Sequence, residues 1–209
     1  MSIKHAAVKK VVGQFHRPHG MAGRAAGWVM AHRGSNRERN VWAVGLLDVQ
    51  PEDRALEIGF GPGIAIRELA KRATRGLVCG IDHSELMVRQ ATRRNAAAVR
   101  AGRVELRLGS VTELPNYAEP FDKVLAVNNA MMWDDPSARL RELRGLMGPG
   151  GRIAVVLQPR GPGSSDATAD RASDEISQQL TAAGFADLRV DTLELEPTNA
   201  VCVLGVNPT

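Results

Sequence analysis

From residue 54 onward, short apolar runs alternate with stretches whose apolar residues recur every three or four positions. The first pattern predicts strands and the second amphipathic helices. Arg54–Ile58, Gly76–Ile81, Val104–Leu108 and Phe121–Val127 read as strands, the last apolar enough to be covered on both faces. Ile64–Ala73 reads as a helix with Ile66, Leu69 and Ala70 on one face. Ser84 stands where an N-cap would precede a long Ala/Arg-rich helix. Pro136 suits the first turn of a helix carrying Leu140, Leu143 and Leu146, which stops at Gly148-Pro149-Gly150-Gly151. A strand over Arg152–Leu157, a loop over Gly161–Ser165 and a helix over about 168–183 closed by Gly184 follow. Two strands, around Ala186–Leu195 and Ala200–Gly205, complete the pattern. Repeated βα units predict an α/β fold, a parallel sheet between two helical layers with right-handed crossovers.

Two helical stretches, roughly 20–32 and 36–48, precede this core. Ser35-Asn36-Arg37-Glu38 has the spacing of a capping box, and Val41, Trp42, Val44, Gly45, Leu46 and Leu47 offer an apolar face. The pair predicts a basic helical arm or cap over residues 1–48, docked on a core over residues 49–209.

Charge sharpens this division. The net charge is +4, yet residues 1–110 hold 19 basic and 9 acidic side chains, while residues 111–209 hold 8 and 14. The first forty residues carry eight basic groups, four histidines and one acid, Glu38. Such an arm can hold an anionic partner, nucleic acid included; arginine-rich usage on solvated helix faces (22 Arg, 5 Lys), which recurs well outside the arm, is the better account. Cys79 and Cys202 lie far apart in apolar stretches, which excludes a disulfide scaffold and a CxxC zinc site and fits a reducing cytoplasm. No run reaches the roughly 18 to 20 apolar residues of a membrane span. Met1–Lys10 lacks the uninterrupted apolar stretch of a secretory leader, so a cytoplasmic location is expected.

The sharpest chemical signal is Glu57-Ile58-Gly59-Phe60-Gly61-Pro62-Gly63, which follows a strand and opens a helix. Glycines there let the chain turn tightly and a ligand approach the backbone. A dinucleotide loop reads G-x-G-x-x-G; here the spacing is G-x-G-x-G, Ile64 stands at the third glycine's place, and Pro62 removes an amide. A nucleoside with little or no phosphate fits better, and a dehydrogenase is disfavoured. Asp82 ends the second strand, where a carboxylate accepts hydrogen bonds from ribose hydroxyls.

These residues resemble the class I S-adenosylmethionine-dependent methyltransferases. The likeness covers about residues 50 to 206 and rests on Leu56–Gly63, on Gly80-Ile81-Asp82-His83-Ser84-Glu85-Leu86-Met87, on Phe121-Asp122-Lys123-Val124-Leu125, and on Gly148–Arg152. The chain looks most like compact bacterial small-molecule enzymes, such as those of quinone biosynthesis, and like short arginine-rich actinobacterial members. The resemblance implies a three-layer, Rossmann-like sheet of seven strands, the last antiparallel and inserted beside the fifth. It implies S-adenosylmethionine as cofactor, S-adenosylhomocysteine as product, and no metal. The loop Gly59, Phe60, Gly61 and Gly63 would receive the methionine portion, with Glu57 near its ammonium. Asp82 would hold the ribose, His83 would border the cofactor and Met87 would lie against the adenine. Gly109-Ser110-Val111 takes the place of a Gly-Asp that usually caps the adenine amino group, and Asn128 would face the donor with Asn129 behind it.

Methyl transfer from a sulfonium needs alignment above all, and a hydroxyl acceptor also wants a base. His16, His19 and His32 are the candidate bases, and also fit a merely polar arm. Asn128–Asp135 and Gln158-Pro159-Arg160 fall at the rim beyond the strands' carboxyl ends. Trp133 either lines an acceptor pocket or packs on the following helix, Met131 and Met132 are adaptable lining, and Asp134-Asp135 suits an N-cap before Pro136 better than a metal. The expected reaction is methylation of a small molecule at an O, N or C atom. An RNA methyltransferase and a cofactor-binding protein without turnover are the alternatives. One Tyr and four Phe offer little for base stacking. Short connections leave the arm, or a second subunit of a homodimer, to close the site. The arm's charge predicts an anionic acceptor, read by Arg17 and Arg24.

Overall fold

The computed structural model describes residues 34–160 and 163–208. Its strands are β1 (Arg54–Ile58), β2 (Leu77–Asp82), β3 (Val104–Leu108), β4 (Phe121–Val127), β5 (Met147–Leu157), β6 (Ala186–Leu193) and β7 (Ala200–Val206). Its helices are α1 (Gly34–Leu46), α2 (Ile64–Arg72), α3 (Glu85–Arg94), α4 (Ala96–Arg100), α5 (Pro136–Gly145) and α6 (Asp166–Ala182). The sheet order is β3-β2-β1-β4-β5-β7-β6. Neighbours from β3 to β5 pair in parallel, and β7 runs antiparallel between β5 and β6. This is the seven-stranded Rossmann-like arrangement implied by the resemblance.

Period-two alternation builds two cores from one sheet. Leu56, Ile58, Ile153, Val155, Val201 and Val203 face the layer that holds Leu140 and Leu143 of α5 and Leu180 of α6. Ala55, Ala154, Val156, Cys202 and Leu204 face the opposite layer, with Ala43 and Val44 of α1 and Ile66 and Leu69 of α2. Burying each such large aliphatic side chain contributes about 1.5–3 kcal/mol. Glu57 alternates with Leu56 and Ile58, so it shares the Ala55 face and is drawn into the α1–α2 core at 1% exposure.

Local sequence explains most boundaries. Asp135, in left-handed backbone, caps α5 by accepting from the Ala138 amide at 3.1 Å. Gly184 takes φ 90° just past the end of α6. Three expectations are corrected. The long Ala/Arg-rich helix is two helices, broken at Asn95, whose Nδ2 donates to the Gly63 carbonyl at 3.1 Å and to the Ala91 carbonyl at 2.9 Å. β5 begins at Met147, because Phe121 pairs with Met147 ahead of a register shift. The capping box does not form, because Ser35 already lies within α1 and its hydroxyl accepts from Arg160 Nη2 at 2.8 Å.

The buried face of α1 also differs from the apolar face read along the chain. Arg39, Asn40, Ala43 and Val44 are buried, whereas Val41 and Trp42 are half-buried beside Arg37 and Glu38. The predicted helix over 20–32, the candidate bases His16, His19 and His32, and Arg17 and Arg24 lie outside the described residues.

Candidate active site

The parallel strands end together, which sets the glycine loop after β1 beside the tips of β2 and β4. Gly59, Gly61 and Gly63 all take positive φ, at 65°, 53° and 76°. The loop is anchored from both sides. The Gly59 amide donates to the Ile81 carbonyl at 2.7 Å, and Arg94 Nε donates to the Pro62 carbonyl at 2.8 Å. A Cβ on Gly63 would meet Ala91 Cβ at 2.6 Å, and one on Gly59 would collide with the Asn129 carboxamide. At Gly61 a Cβ would find no atom within 4 Å, so the backbone there faces open space.

Two carboxylates, close enough for the charge of one to act on the other, lie by the loop. Asp82 is 5% exposed, and each of its oxygens takes one backbone amide, Gly61 N at 2.8 Å and Ser84 N at 2.9 Å. The carboxylate is thereby fixed in orientation, with a lone pair left on each oxygen for paired hydroxyls. Burial raises its pKa, opposed by the Ser84 and Gly61 amides and by His83. Glu57 is pushed well above the ordinary carboxylate range by burial first and by the Asp82 charge second, against one hydrogen bond from the Ile66 amide. Its Oε2 is buried without a partner. A buried acid so placed favours its neutral form until a cation arrives.

The asparagines after β4 divide their work. Asn129 Nδ2 donates to the Ile58 carbonyl, tying β4 to the glycine loop, and its Oδ1 is buried without a partner. Asn128, at φ 56°, turns the other way, its Oδ1 accepting from the Gln158 amide at 2.7 Å. Gln158, just past β5, gathers a second cluster. Its Nε2 donates to the carbonyls of Thr198 at 2.9 Å and Glu196 at 3.2 Å, which turns Oε1 toward two arginines. Arg39 Nη1 reaches that oxygen at 2.5 Å and Arg160 Nη2 at 2.6 Å.

Sequence reasoning placed Gln158 and Arg160 at the rim but missed Arg39. The signal was present: Arg39 and Asn40 precede Ala43 and Val44 by one helical turn, polar residues on the face that Val44 and Leu47 mark as apolar.

The remaining singled-out residues have definite places. Phe60 is buried, and its ring fills the room left by the missing side chain of Gly80, so the loop offers a ligand backbone at that point. Met87 is buried in the α1–α2 core, and His83 is exposed beside Asp82. Gly109 donates its amide to the Asp82 carbonyl at 3.0 Å, and Val111 is buried. Ser110 Oγ accepts from the Thr112 hydroxyl at 2.9 Å, turning back on its own loop. Trp133 packs partly buried against the α5–α6 core. Cys79 and Cys202 are free and buried, their thiols pushed up by burial to about 11 and about 12, which leaves neither nucleophilic at neutral pH. Among the described residues no group of three or more His, Cys, Asp or Glu could hold a metal ion, and no helix is long and apolar enough to cross a membrane.

An oriented carboxylate for vicinal hydroxyls, an orphaned buried acid for an ammonium and an open glycine backbone between them fit a nucleoside joined to an amino acid. S-adenosylmethionine has that constitution. Known proteins agree. Residues 55–151 match the methyltransferase-domain family. The uncharacterized methyltransferase YdaC of Bacillus subtilis (strain 168) is 32% identical over 183 residues, covering 88% of this chain and 98% of that protein. The ubiquinone/menaquinone biosynthesis C-methyltransferase UbiE of Geotalea daltonii is 27% identical over 124 residues, which are 59% of this chain and 53% of that protein. In fold, the chain matches the N-methyltransferase NodS from Bradyrhizobium japonicum WM9 in complex with S-adenosyl-L-homocysteine, with a TM-score of 0.67, 17% identity, and coverage of 87% and 92% of the two chains. The chain is a member of the class I S-adenosylmethionine-dependent methyltransferases.

Proposed function

We propose that the acceptor is a small organic molecule and that the donor lies along Glu57, the glycine loop and Asp82. The observation that carries the acceptor reading is how little aromatic surface the described residues expose, Trp42 and Trp133 being half-buried. Phe60, Phe121 and Phe185 are all buried, and Tyr117 stacks edge-on against Phe121 with ring centroids 4.7 Å apart. Recognition of single-stranded RNA depends on exposed aromatic faces. In their place the tip of β4 exposes Met131 (56%) and Met132 (44%), a polarisable surface suited to an apolar acceptor body. The UbiE relative, of which the chain spans about half, is named for quinone biosynthesis and adds support.

When bound, S-adenosylmethionine supplies a sulfonium methyl group ready for in-line displacement. The chain's task is then alignment and exclusion of water, and positioning alone can remove about 7–11 kcal/mol of barrier. Asp82 fixes the ribose end, Glu57 takes the ammonium, and the Asn129 carboxamide holds the loop from β4. No described residue is placed as a general base, so proton removal falls to solvent or to the histidines His16, His19 and His32.

Incubation of the full chain with S-adenosylmethionine and a fractionated small-metabolite extract tests the reading, with S-adenosylhomocysteine quantified by mass spectrometry. Turnover in metabolite fractions and none with total RNA is expected. Turnover with RNA alone would replace the reading, and none with either would favour a cofactor-binding protein without catalysis.

A further inference from the structure

Beside the loop that follows β4, a cavity of about 50 Å³ lies between the sheet and α6. Its apolar walls are Val155 and Leu157 of β5 and Ala172 and Ile176 of α6, all members of the α5–α6 core. A single water takes roughly 10–15 Å³ of such a space, so the cavity admits a group of about three or four heavy atoms, one end of a molecule. Three polar side chains join the lining, Asn129, Glu175 and Gln179. Asn129 is 9% exposed; its Nδ2 is taken by the Ile58 carbonyl, and its Oδ1 is buried without a partner. An unmet buried amide oxygen opposes folding and calls for a hydrogen-bond donor.

The charge beside the cavity has one predominant sign. α6 carries Asp166, Asp170, Asp174 and Glu175 against a single base, Arg171. Glu175 is exposed, and among the described residues no basic side chain lies within ion-pair distance of it, Arg171 one turn earlier included. A group that satisfies both an orphaned acceptor oxygen and an unpaired carboxylate is a hydrogen-bond donor with positive charge. A carboxylate or phosphate has no proton to give Asn129 Oδ1 at neutral pH and is repelled by Glu175.

Location sets the cavity apart from the donor. Glu57 accepts from the Ile66 amide of α2, on the α1–α2 side of the sheet, whereas the cavity walls belong to the α5–α6 side. Neither Glu57, the loop Gly59–Gly63 nor Asp82 lines it. Asn129 alone belongs to both places, bonded to Ile58 just ahead of the glycine loop and standing in the cavity wall. A group held there lies next to the loop without taking the place of the donor's own ammonium. We propose that this cavity is the subsite for an amine or ammonium group of the methyl acceptor, with Asn129 Oδ1 accepting its N–H and Glu175 balancing its charge. That charge is the reverse of the one the basic arm predicts. The assignment to the acceptor rests on the small-molecule reading above; the capacity to hold a cation does not.

The test uses the full chain saturated with S-adenosylhomocysteine and titrated at neutral pH with n-propylamine, 1-propanol and propionate, sodium chloride serving as the ionic-strength control. The side-chain ¹H–¹⁵N signals of Asn129 and the methyl signal of Met131, which also lines the cavity, are read. Saturable shifts with propylamine, at least threefold tighter than with 1-propanol, and none with propionate are expected. Glu175→Gln should weaken propylamine at least threefold, and Ala172→Leu, which fills the cavity, should abolish its shifts. Glu175→Gln, at an exposed position, carries the test where Ala172→Leu fails to fold. Affinity for S-adenosylhomocysteine should stay within twofold in both. Propylamine shifts equal in wild type and Glu175→Gln, no saturable shift beyond sodium chloride, or propionate binding as tightly as propylamine overturns the subsite. A tenfold loss of S-adenosylhomocysteine affinity in Glu175→Gln would give the cavity to the donor and overturn the acceptor assignment. Because the titration needs no turnover, failure of the small-molecule reading in the metabolite assay leaves the binding result standing.

Discussion

The two halves of the site are built from opposite charge and by opposite routes. On the β1–β2 side, Glu57 and Asp82 are buried acids, and the residues that matter lie within one strand, one turn and the next strand tip. On the β5 side, Arg39 and Arg160 share Gln158, and the Arg39–Gln158 contact spans 119 positions of sequence. Each half retains a buried charge or polar atom that protein groups do not satisfy: Oε2 of Glu57 on one side, Nε of Arg39 on the other. Such imbalance is costly in a stable fold and is kept where a ligand completes it. At Glu57 we take that ligand to be the ammonium of the donor.

Substitution separates the halves. Gln158→Leu should be the most damaging to the fold, since it strips Arg39 of an acceptor and the Thr198 and Glu196 carbonyls of a donor. A loss of about 2–4 kcal/mol in urea unfolding is expected, with little change in donor affinity where the folded population is corrected for. Asp82→Ala should do the reverse. Removing two charged hydrogen-bond acceptors from the ribose should weaken S-adenosylhomocysteine by about a hundredfold in calorimetry, roughly 3 kcal/mol. Gly61→Ala is the mildest. Its positive φ costs about 1 kcal/mol, and because a Cβ there meets only open space, the added methyl should be felt by the ligand more than by the fold.

The same contrast explains what could be read from the chain. The sheet, its helices and the meeting of the glycine loop with Asp82 were legible because Leu56–Gly63 and Asp82 are local patterns whose spacing carries their geometry. Asp135 as a cap was legible for the same reason. Asn95 was not, because an asparagine in an Ala/Arg-rich run looks helical until Gly63 supplies a carbonyl 32 positions away. α1 misled for a related reason. Val41 and Trp42 suggested its buried face, but Arg39 and Asn40 take that face because Gln158 and Asn36 satisfy them. A hydropathy pattern shows that polar residues interrupt the apolar face of α1, but which partners satisfy them, Gln158 above all, is settled only by the fold.

The most direct measurement of the donor half is the enthalpy of S-adenosylhomocysteine binding near neutral pH in two buffers of different ionisation heat. Glu57 has its folded pKa raised above 4.5 by burial and the Asp82 charge, so the ligand-free protein loses stability as pH rises from there through the raised value. An ammonium at Oε2 reverses that preference and expels the proton. Buffer-dependent enthalpy reporting proton release in wild type, absent in Glu57→Gln, is the predicted result, together with a higher melting temperature for ligand-free Glu57→Gln. Binding enthalpy that is independent of buffer in wild type, or equally dependent in Glu57→Gln, would contradict the placement of the donor's ammonium at Glu57.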